Sequence, residues 1–221
     1  MKEYELYSNI KTPKNMNIVL RIDGRNFHNL SKNLNLKKPY DSKFSKLMRD
    51  ICLDLYNEFS PLFIYTFSDE ISILLSNIPF SSRIEKLNSV FASYTSSSFM
   101  LNQKKYFNYD KLVSFDSRII PLVNEDVFKY FKWRQDEAWR NCINAYGIWM
   151  LNKLYSKKEA NGKFKGLNSN DIHDLLFNNG INLNDLPVWQ KRGLGVYENK
   201  IDCNLDLFNE KFFTNILKNN G

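Results

Sequence analysis

Two acidic residues that each follow an apolar run are the best candidates for chemistry in this sequence. Asp23 lies at the end of a run that starts at Ile18, and Asp69 follows a second run that ends at Phe67. If both runs are strands, they deliver two carboxylates to one edge of a sheet. Such a pair can hold two Mg²⁺ ions on a triphosphate, because Mg²⁺ usually binds one or two carboxylates together with phosphate oxygens. We therefore predict that Asp23 and Asp69 are metal ligands and catalytic residues.

The residues next to these acids extend the predicted site and also offer a simpler explanation of it. Gly24 has no side chain, so its backbone carbonyl can approach a metal closely, and we include it among the metal ligands. Glu70 is a candidate catalytic residue that either assists the metals or stabilises the neighbouring backbone. In the simpler explanation, Asp23 and Gly24 form an ordinary turn and Asp69 is a hairpin tip. A matched acid at the end of a second strand favours the metal site.

The composition is that of a globular protein without an obvious membrane or secretory segment. The 221 residues are 43% hydrophobic, which is enough for a buried core. No apolar run reaches about 18 residues, and the N-terminus lacks the apolar region of a signal peptide. We therefore predict a cytoplasmic protein without a membrane partner, with function in an organelle as the open alternative. The net charge of +7 suits a polyanionic partner, although charge alone is weak evidence.

Cysteine and histidine do not point to a disulfide or a transition-metal site. Cys52, Cys142 and Cys203 are scattered without a CxxC pair, and the chain has two His. Reduced thiols are the simplest explanation.

The apolar periodicity predicts strands and helices that bring the acids to one edge. Strands are predicted at 17–22, 62–67, 71–76 and 111–115, with a further strand at 118–122. One helix is predicted at 42–59, capped by Asp41 or Ser42, and a second one begins at a capping box at 82–85. A third helix is predicted at 125–155, capped by Asn124. Residues 29–40 are predicted to be a polar loop.

The order β-α-β-β-α-β followed by a long helix is the split βαβ arrangement that polymerase palms and nucleotide cyclases share. We therefore predict an α+β fold, a ferredoxin-like polymerase palm with an antiparallel sheet and helices on one face. Residues 1–155 are assigned to the palm-like catalytic domain. Residues 156–221 are predicted to be a smaller helical and extended C-terminal extension packed on it. Within the extension we expect a flexible basic stretch at 156–170, a helix near 170–178, an extended segment at 181–199 and a final helix at about 205–217.

Six motifs in order resemble the tRNA-histidine guanylyltransferase superfamily. They are RIDGRNFHNLSK at 21–32, KPYD at 38–41, TFSDEISILL at 66–75, SRIEKLNSVFAS at 82–93, SFDSRIIPL at 114–122 and YFKWRQDEAWRNCINAYG at 130–147. The RNCIN sequence in the last motif, and LPVWQKRG at 186–193, resemble the guanylyltransferase-like branch. The tRNA-His-specific eukaryotic enzymes tend to have His-Ile-Asn-Asn where this chain has Arg140-Asn141-Cys142-Ile143.

The resemblance implies template-dependent addition of nucleotides to the 5′ end of tRNA, in the 3′–5′ direction, in repair or editing of truncated tRNA. The 3′-hydroxyl of an incoming nucleoside triphosphate (ATP or GTP) would attack an activated 5′ end with the help of two Mg²⁺ ions, usually in a homotetramer. The alternatives are a tRNA-His-specific guanylyltransferase, a palm-fold nucleotidyltransferase or cyclase that does not use tRNA, and a non-catalytic tRNA-binding protein.

The resemblance also implies roles for residues outside the acid pair. It implies that nucleotide is bound by Arg25, Asn26, Phe27, His28, Arg83 and Lys86. Binding of the RNA 5′ end falls on Arg118, Arg134, Gln135, Asp136, Arg140, Asn141, Asn144, Lys191 and Arg192, and the C-terminal extension is expected to contact RNA. Asp116 receives less weight, because Ser117 stands where family members often have Gly.

Simpler explanations exist for most of these residues. Arg83 and Lys86 can be solvated surface cations at the start of a helix, and Asp136 can form a surface ion pair with Arg140 four residues on. Trp133 is expected to build core.

Overall fold

An antiparallel sheet forms the centre of the fold, in a computed structural model that describes residues 1–203 and 208–218. Its strands are β1 (Asn17–Gly24), β2 (Phe63–Phe67), β3 (Glu70–Leu74), β4 (Phe115–Leu122), β5 (Leu194–Tyr197) and β6 (Lys200–Asp202). Along the sheet they follow the order β4-β1-β3-β2-β5-β6. The first four strands, with their helices, have the ferredoxin-like β-α-β-β-α-β connection, so the predicted α+β palm-like fold is confirmed.

Helices surround this sheet and continue beyond one of its edges. Those of the described residues are α1 (Phe27–Asn33), α2 (Ser42–Phe59), α3 (Ile84–Asn102), α4 (Asn124–Leu154), α5 (Lys157–Phe164), α6 (Ser169–Asn178), α7 (Val188–Arg192) and α8 (Glu210–Lys218). Short 3₁₀ turns lie at Lys2–Tyr4, Phe80–Ser82, Gln103–Lys105 and Leu183–Asp185. Within the described ranges, no helix has the length and apolar character needed to cross a membrane.

The hairpin and α2 confirm the local predictions around the acids. β2 and β3 pair directly and leave the acids at their turn. The carboxylate of Asp41 caps α2 by accepting hydrogen bonds from the backbone N–H groups of Lys43 and Phe44, at 2.8 and 3.2 Å. The helix ends at Phe59, and the next residue, Ser60, has a φ of 45° and directly precedes Pro61.

Several predicted boundaries are wrong. Part of the predicted loop at 29–40 is helical, since α1 extends to Asn33. The stretch predicted to be flexible at 156–170 contains α5, because Ser156 and Glu159 form a capping box that the basic composition hides. The segment predicted to be extended at 181–199 folds into α7 and β5. The strand predicted at 111–115 starts at Phe115, and the beginning of the predicted final helix, at 205–207, lies outside the described residues.

The two remaining predicted caps are also wrong. Ser82 has a φ of 62° and lies in the preceding turn, so Arg83 is the N-cap of α3 and makes no side-chain capping bond. Asn124 is the first residue of α4, and its amide oxygen accepts a hydrogen bond from Asn17 at 2.7 Å instead.

Both faces of the sheet are covered, which corrects the prediction of helices on one face. Ile18, Leu20 and Ile22 pack towards α2 and α3. Val19 belongs to the core on the other face, which Val127 of α4 and Phe213 of α8 complete. Consecutive buried residues in β1 are the sequence signature of a strand covered on both faces.

The second half of α4 runs past the acid edge of the sheet and carries a third hydrophobic cluster with α6. Its buried members include Cys142, Tyr146, Met150, Ile172 and Leu176. The segment after residue 155 therefore contributes helices to this cluster as well as β5 and β6 to the sheet. A cleft remains between the cluster and the sheet edge.

Candidate active site

Four carboxylates converge where β1 ends. Asp23 is the cross-strand partner of Glu70 on β3 and of Asp116 on β4. Cross-strand partners share a face of the sheet, so these three acids form a row across β3, β1 and β4. Asp69 lies beside the row at the hairpin turn, with its Oδ2 3.0 Å from the position that a β-carbon on Gly24 would occupy. The predicted pairing of Asp23 with Asp69 at one edge is therefore what the fold produces.

Counter-charges distinguish the two predicted ligands from the other acids. Glu70 pairs with Arg134 at 2.7 Å, and Asp116 pairs with Arg118 at 3.0 Å. Among the described residues, neither Asp23 nor Asp69 makes an ion pair. Burial raises the pKa of Asp69 to about 6, and the charges of Asp23 and Glu70 add to this shift.

The oxygen ligands available here fit a hard divalent cation that takes its other ligands from a substrate. Asp23 and Asp69 supply carboxylates that no described Lys or Arg side chain pairs with, and Gly24 lets backbone approach them closely. Within the part of the chain that the structure describes, no group of three or more His, Cys, Asp or Glu side chains is arranged to hold a metal by itself. A Mg²⁺ ion bound here would therefore take its remaining ligands from backbone, phosphate and water, as Mg²⁺ commonly does.

A cavity of about 360 Å³, called the main cavity because it adjoins the acids, opens beside Asp69 in the cleft between the sheet edge and the helices that extend past it. Its walls combine aromatic, basic and amide side chains; they include Phe27, His28, Lys37, Lys38, Asn141 and Trp189. Aromatic surface for a base next to cations for phosphate is a suitable lining for a nucleotide. Phe27 and His28 therefore lie where the sequence predicted nucleotide contacts.

The turn after Gly24 separates its residues between two cavities. Asn26 has a φ of 56° and redirects the chain into α1. Phe27 turns inward and packs against Phe44 at a ring distance of 5.1 Å. Arg25 and Asn26 line a separate cavity of about 270 Å³, next to Ser114, whose carbonyl accepts from the Arg25 N–H at 2.9 Å. The four predicted nucleotide contacts in this turn thus do not share one pocket.

Arg83 and Lys86 lie at the start of α3, whereas its other end lies near the acids, so within one chain they are not beside a triphosphate at the acids. Near the C-terminal end of α3, Phe99 contacts Phe27 and Phe115 at the acid edge. Arg83 precedes Phe99 by sixteen residues, or about 24 Å along a helix. Sequence order alone did not reveal which end of α3 faces the acids.

Two residues predicted to contact RNA are buried, and those predictions are corrected. Arg134 is 6% exposed and its guanidinium is bound by Glu70. Gln135 is 5% exposed, and its Nε2 has no hydrogen-bond partner among the described residues. Both side chains lie inside the protein and are not part of a surface that RNA could reach.

The other predicted RNA contacts remain at or near the surface, and the charged ones have hydrogen-bond or ion-pair partners of their own. Asp136 pairs with Lys132 and with Arg192, whereas Arg140 pairs with Glu137 at 2.6 Å, so the predicted ion pair of Asp136 with Arg140 is wrong. The ammonium group of Lys191 donates a hydrogen bond to the backbone carbonyl of Asn184 at 2.7 Å, and Arg118 is half exposed on β4. Asn144 is partly buried on α4, and Asn141 lines the main cavity.

Sequence reasoning gave too little weight to three positions. Asp116 joins the acid row because of the β1–β4 register, which no local pattern reveals. Lys38 lies on the wall of the nucleotide-sized cavity, although its sequence resembles a solvated loop. Trp133, expected in the core, is 51% exposed, with the guanidinium of Arg134 at 4.3 Å and that of Arg21 at 5.8 Å from its ring centre.

The fold and the acid edge are those of palm-like nucleotidyltransferases. A family model described as Thg1, tRNAHis guanylyltransferase, matches residues 1–123. A probable tRNA(His) guanylyltransferase of Dictyostelium discoideum is 30% identical over 90% of this chain and 83% of its own length. The tRNA(His) guanylyltransferase of Saccharomyces cerevisiae is 33% identical over 80% of each chain.

Solved structures give the same result. A bacterial tRNA(His) guanylyltransferase (Thg1)-like protein in complex with ATP matches with a TM-score of 0.83 and 31% identity, over 96% of this chain and 97% of that one. The Saccharomyces cerevisiae tRNA(His) guanylyltransferase matches with a TM-score of 0.80 and 28% identity, over 90% and 93%. The chain belongs to the tRNAHis guanylyltransferase (Thg1) family and is a nucleotidyltransferase.

Proposed function

We propose that this protein adds nucleotides to the 5′ end of tRNA in the 3′–5′ direction, copying the opposite acceptor strand, in the repair or editing of truncated tRNA. The observation that carries the proposal is a pair of carboxylates, Asp23 and Asp69, which have no ion-pair partner among residues 1–203 and 208–218 and lie beside a nucleotide-sized cavity. The family membership supports a tRNA substrate. Bacterial relatives solved in complex with ATP and with GTP support nucleoside triphosphates as the second substrate.

In the proposed reaction, the 3′-oxygen of the incoming nucleotide forms a bond to the α-phosphorus at the activated 5′ end of the RNA. The bond from that phosphorus to pyrophosphate, or to AMP in an adenylylated end, breaks at the same centre. The hydroxyl proton leaves to solvent, and the new 5′ end carries the triphosphate of the added nucleotide. No protein nucleophile is required.

The chain's own residues position these groups. Asp23, Asp69 and the Gly24 carbonyl would hold two Mg²⁺ ions, which supply charge neutralisation at the phosphates and lower the pKa of the attacking hydroxyl. Lys37 and Lys38 attract the triphosphate of the nucleotide in the main cavity, and aromatic side chains there exclude water around its base.

Maturation of tRNA-His by addition of one guanosine is the second candidate. It is favoured by the names of the curated relatives, which are tRNA(His) guanylyltransferases. Against it stands the Arg140-Asn141-Cys142-Ile143 sequence, which resembles the guanylyltransferase-like branch.

We also propose that the active form is a homotetramer. The distance between the start of α3 and the acids supports an oligomer, because Arg83 and Lys86 can reach a triphosphate at the acids only from another subunit; the number of four subunits rests on the family resemblance. Multi-angle light scattering of the purified protein would give the mass directly, and a monomer would reject this part of the proposal.

The decisive experiment uses tRNAs that lack one or two 5′ nucleotides, each with a different base opposite the gap. We expect the protein to add the Watson–Crick complement in each case. Addition of guanosine alone, and to tRNA-His alone, would favour the second candidate. Consumption of nucleotide without tRNA would point to a cyclase or another palm enzyme.

Two variants test the site within the same assay. Asp23→Ala and Asp69→Ala should each abolish addition while leaving tRNA binding largely intact. Addition at a near-wild-type rate by either variant would refute the metal assignment.

A further inference from the structure

A buried ion pair lies directly behind the acid pair. The guanidinium of Arg134 donates from Nε to Oε1 of Glu70 at 2.8 Å and from Nη2 to Oε2 at 2.7 Å. The side chains are 8% and 13% exposed. Two parallel bonds of this kind are the most directional pairing that a carboxylate can make.

Packing holds the guanidinium in place on both sides. Its central carbon lies 5.3 Å from the ring centre of Phe67 and 4.3 Å from that of Trp133. Phe67 is the last residue of β2 before the hairpin turn, whereas Trp133 and Arg134 belong to α4. Arg134 therefore ties the hairpin that carries Asp69 to the long helix.

Glu70 is placed where an unpaired carboxylate would disturb the site. It directly follows Asp69 in the chain and is the cross-strand partner of Asp23. Without Arg134, a third negative charge would stand beside the two predicted ligands in a partly desolvated place, where charges interact strongly. It would then be available as a competing oxygen ligand.

We propose that Arg134 is a positioning residue that withholds Glu70 from cation binding and anchors the hairpin, so that Asp23 and Asp69 alone present carboxylates to the metal ions. The metal ions belong to the proposed function, and this inference rests on it to that extent. Glu70 then acts as an anchor and not as a ligand, which decides between the two roles that its sequence position left open.

The experiment measures Mn²⁺ binding to the full-length, tRNA-free protein by isothermal titration calorimetry, with Mn²⁺ as a probe for Mg²⁺. Circular dichroism melting confirms that each variant is folded. We expect Glu70→Gln to lose Mn²⁺ affinity by no more than about 5-fold, because it leaves the Arg134 charge without its counter-charge near the metal ions, whereas Asp69→Asn should lose at least about 10-fold.

Arg134→Met tests the other half of the proposal. It frees the Glu70 carboxylate, so Mn²⁺ should bind at least about 5-fold more tightly or with one additional equivalent. The double variant Glu70→Gln/Arg134→Met should return to the wild-type isotherm. Arg49→Met is the matched control, because it breaks another Arg–carboxylate pair, with Asp50 at 2.8 Å on α2, and should leave Mn²⁺ binding unchanged.

Each outcome of these titrations either supports or overturns the proposed role of Arg134. A loss in Glu70→Gln as large as that in Asp69→Asn would make Glu70 a ligand and overturn the proposal, even if Arg134→Met does not fold. A folded Arg134→Met with the wild-type isotherm would overturn it as well. Because no tRNA is present, these results are independent of whether the wild-type protein extends tRNA, and the two proposals fail separately.

Discussion

The phenol hydroxyl of Tyr65 donates a hydrogen bond to the backbone carbonyl oxygen of Arg192 at 2.5 Å. Tyr65 lies on β2 and is 1% exposed, and Arg192 is the last residue of α7. The bond fixes the C-terminal segment against the strand that leads to the Asp69 hairpin. Trp189 and Gln190 of α7, which line the main cavity, therefore have their position set by a residue on β2.

Tyr65→Phe should loosen this attachment. The Arg192 carbonyl would lose its partner in a buried place, so we expect the free energy of unfolding in urea to fall by about 1–2 kcal/mol. The KM for the nucleoside triphosphate should rise, because one wall of the cavity becomes less well positioned. Tyr106→Phe is the matched control: it removes a hydroxyl bonded to Asp50 at 2.7 Å, away from the cavity, and should lower stability without changing KM. An equal rise in KM in both variants would argue against a local effect.

Gly24→Ala should damage the acid edge. A β-carbon here would lie 2.3 Å from Cδ2 of Phe27 and 3.0 Å from Oδ2 of Asp69. The Phe27 ring cannot move aside easily, because it packs between Phe44 and Phe99. We expect the free energy of unfolding to fall by about 1–3 kcal/mol. The rate of nucleotide addition should also fall, even at a temperature where the variant is fully folded.

The control for this substitution is Gly162→Ala in α5. Nothing lies within 4 Å of the β-carbon it would add, and alanine is the better helix former, so this variant should gain up to about 1 kcal/mol. If Gly24→Ala retained wild-type stability and activity, the close packing at this position would have no functional consequence.

Features that depend on neighbouring residues could be predicted from the sequence. The end of β1 at Asp23 and Gly24, the hairpin that carries Asp69 at its turn, and the capping of α2 by Asp41 are each encoded within a few residues. The six ordered motifs also identified the family before any geometry was considered. These predictions include the two carboxylates on which the proposed chemistry depends.

Features that depend on long-range pairing could not be predicted in this way. Arg134 resembles a surface cation within the polar sequence of α4, yet it is buried because Glu70, 64 positions earlier, neutralises it. Arg83 was expected near the acids, but the direction of α3 against the sheet places it at the far end. Asp116 joins the acid row only through the register of β4 on β1.

Lys37 and Lys38 should contribute to nucleotide binding and little to folding. Both are exposed on the cavity wall, so Lys37→Gln/Lys38→Gln should raise the KM for the nucleoside triphosphate about 3- to 10-fold with little change in melting temperature. The difference should shrink as salt is added, because screening weakens contacts between exposed charges.

The matched control removes the same charge elsewhere. Lys157 and Lys158 are exposed on α5 and do not line the cavity, so Lys157→Gln/Lys158→Gln should leave the KM for the nucleotide unchanged. Equal effects of the two double variants would mean that overall charge, and not the cavity, determines nucleotide affinity.

Asp69→Asn should stabilise the metal-free protein while it removes activity. Burial raises the pKa of Asp69 to about 6, whereas an Asp in the unfolded chain titrates near about 4. The folded state therefore binds the proton more tightly, and the ionised carboxylate lowers stability as pH rises from about 4 to about 6 and by a constant amount above that. Asparagine lacks this penalty.

In EDTA at about pH 8, the free energy of unfolding of Asp69→Asn should exceed that of wild type by about 1–3 kcal/mol, and the difference should vanish near pH 4. Asp116→Asn is the control on the same acid row: its side chain is 58% exposed and already paired with Arg118, so no comparable gain is expected. A gain in Asp69→Asn that did not depend on pH would have to come from packing and not from the buried charge. The predicted pattern would explain why the site is arranged to receive a cation, since a bound cation offsets the burial of the Asp69 charge and its repulsion from Asp23.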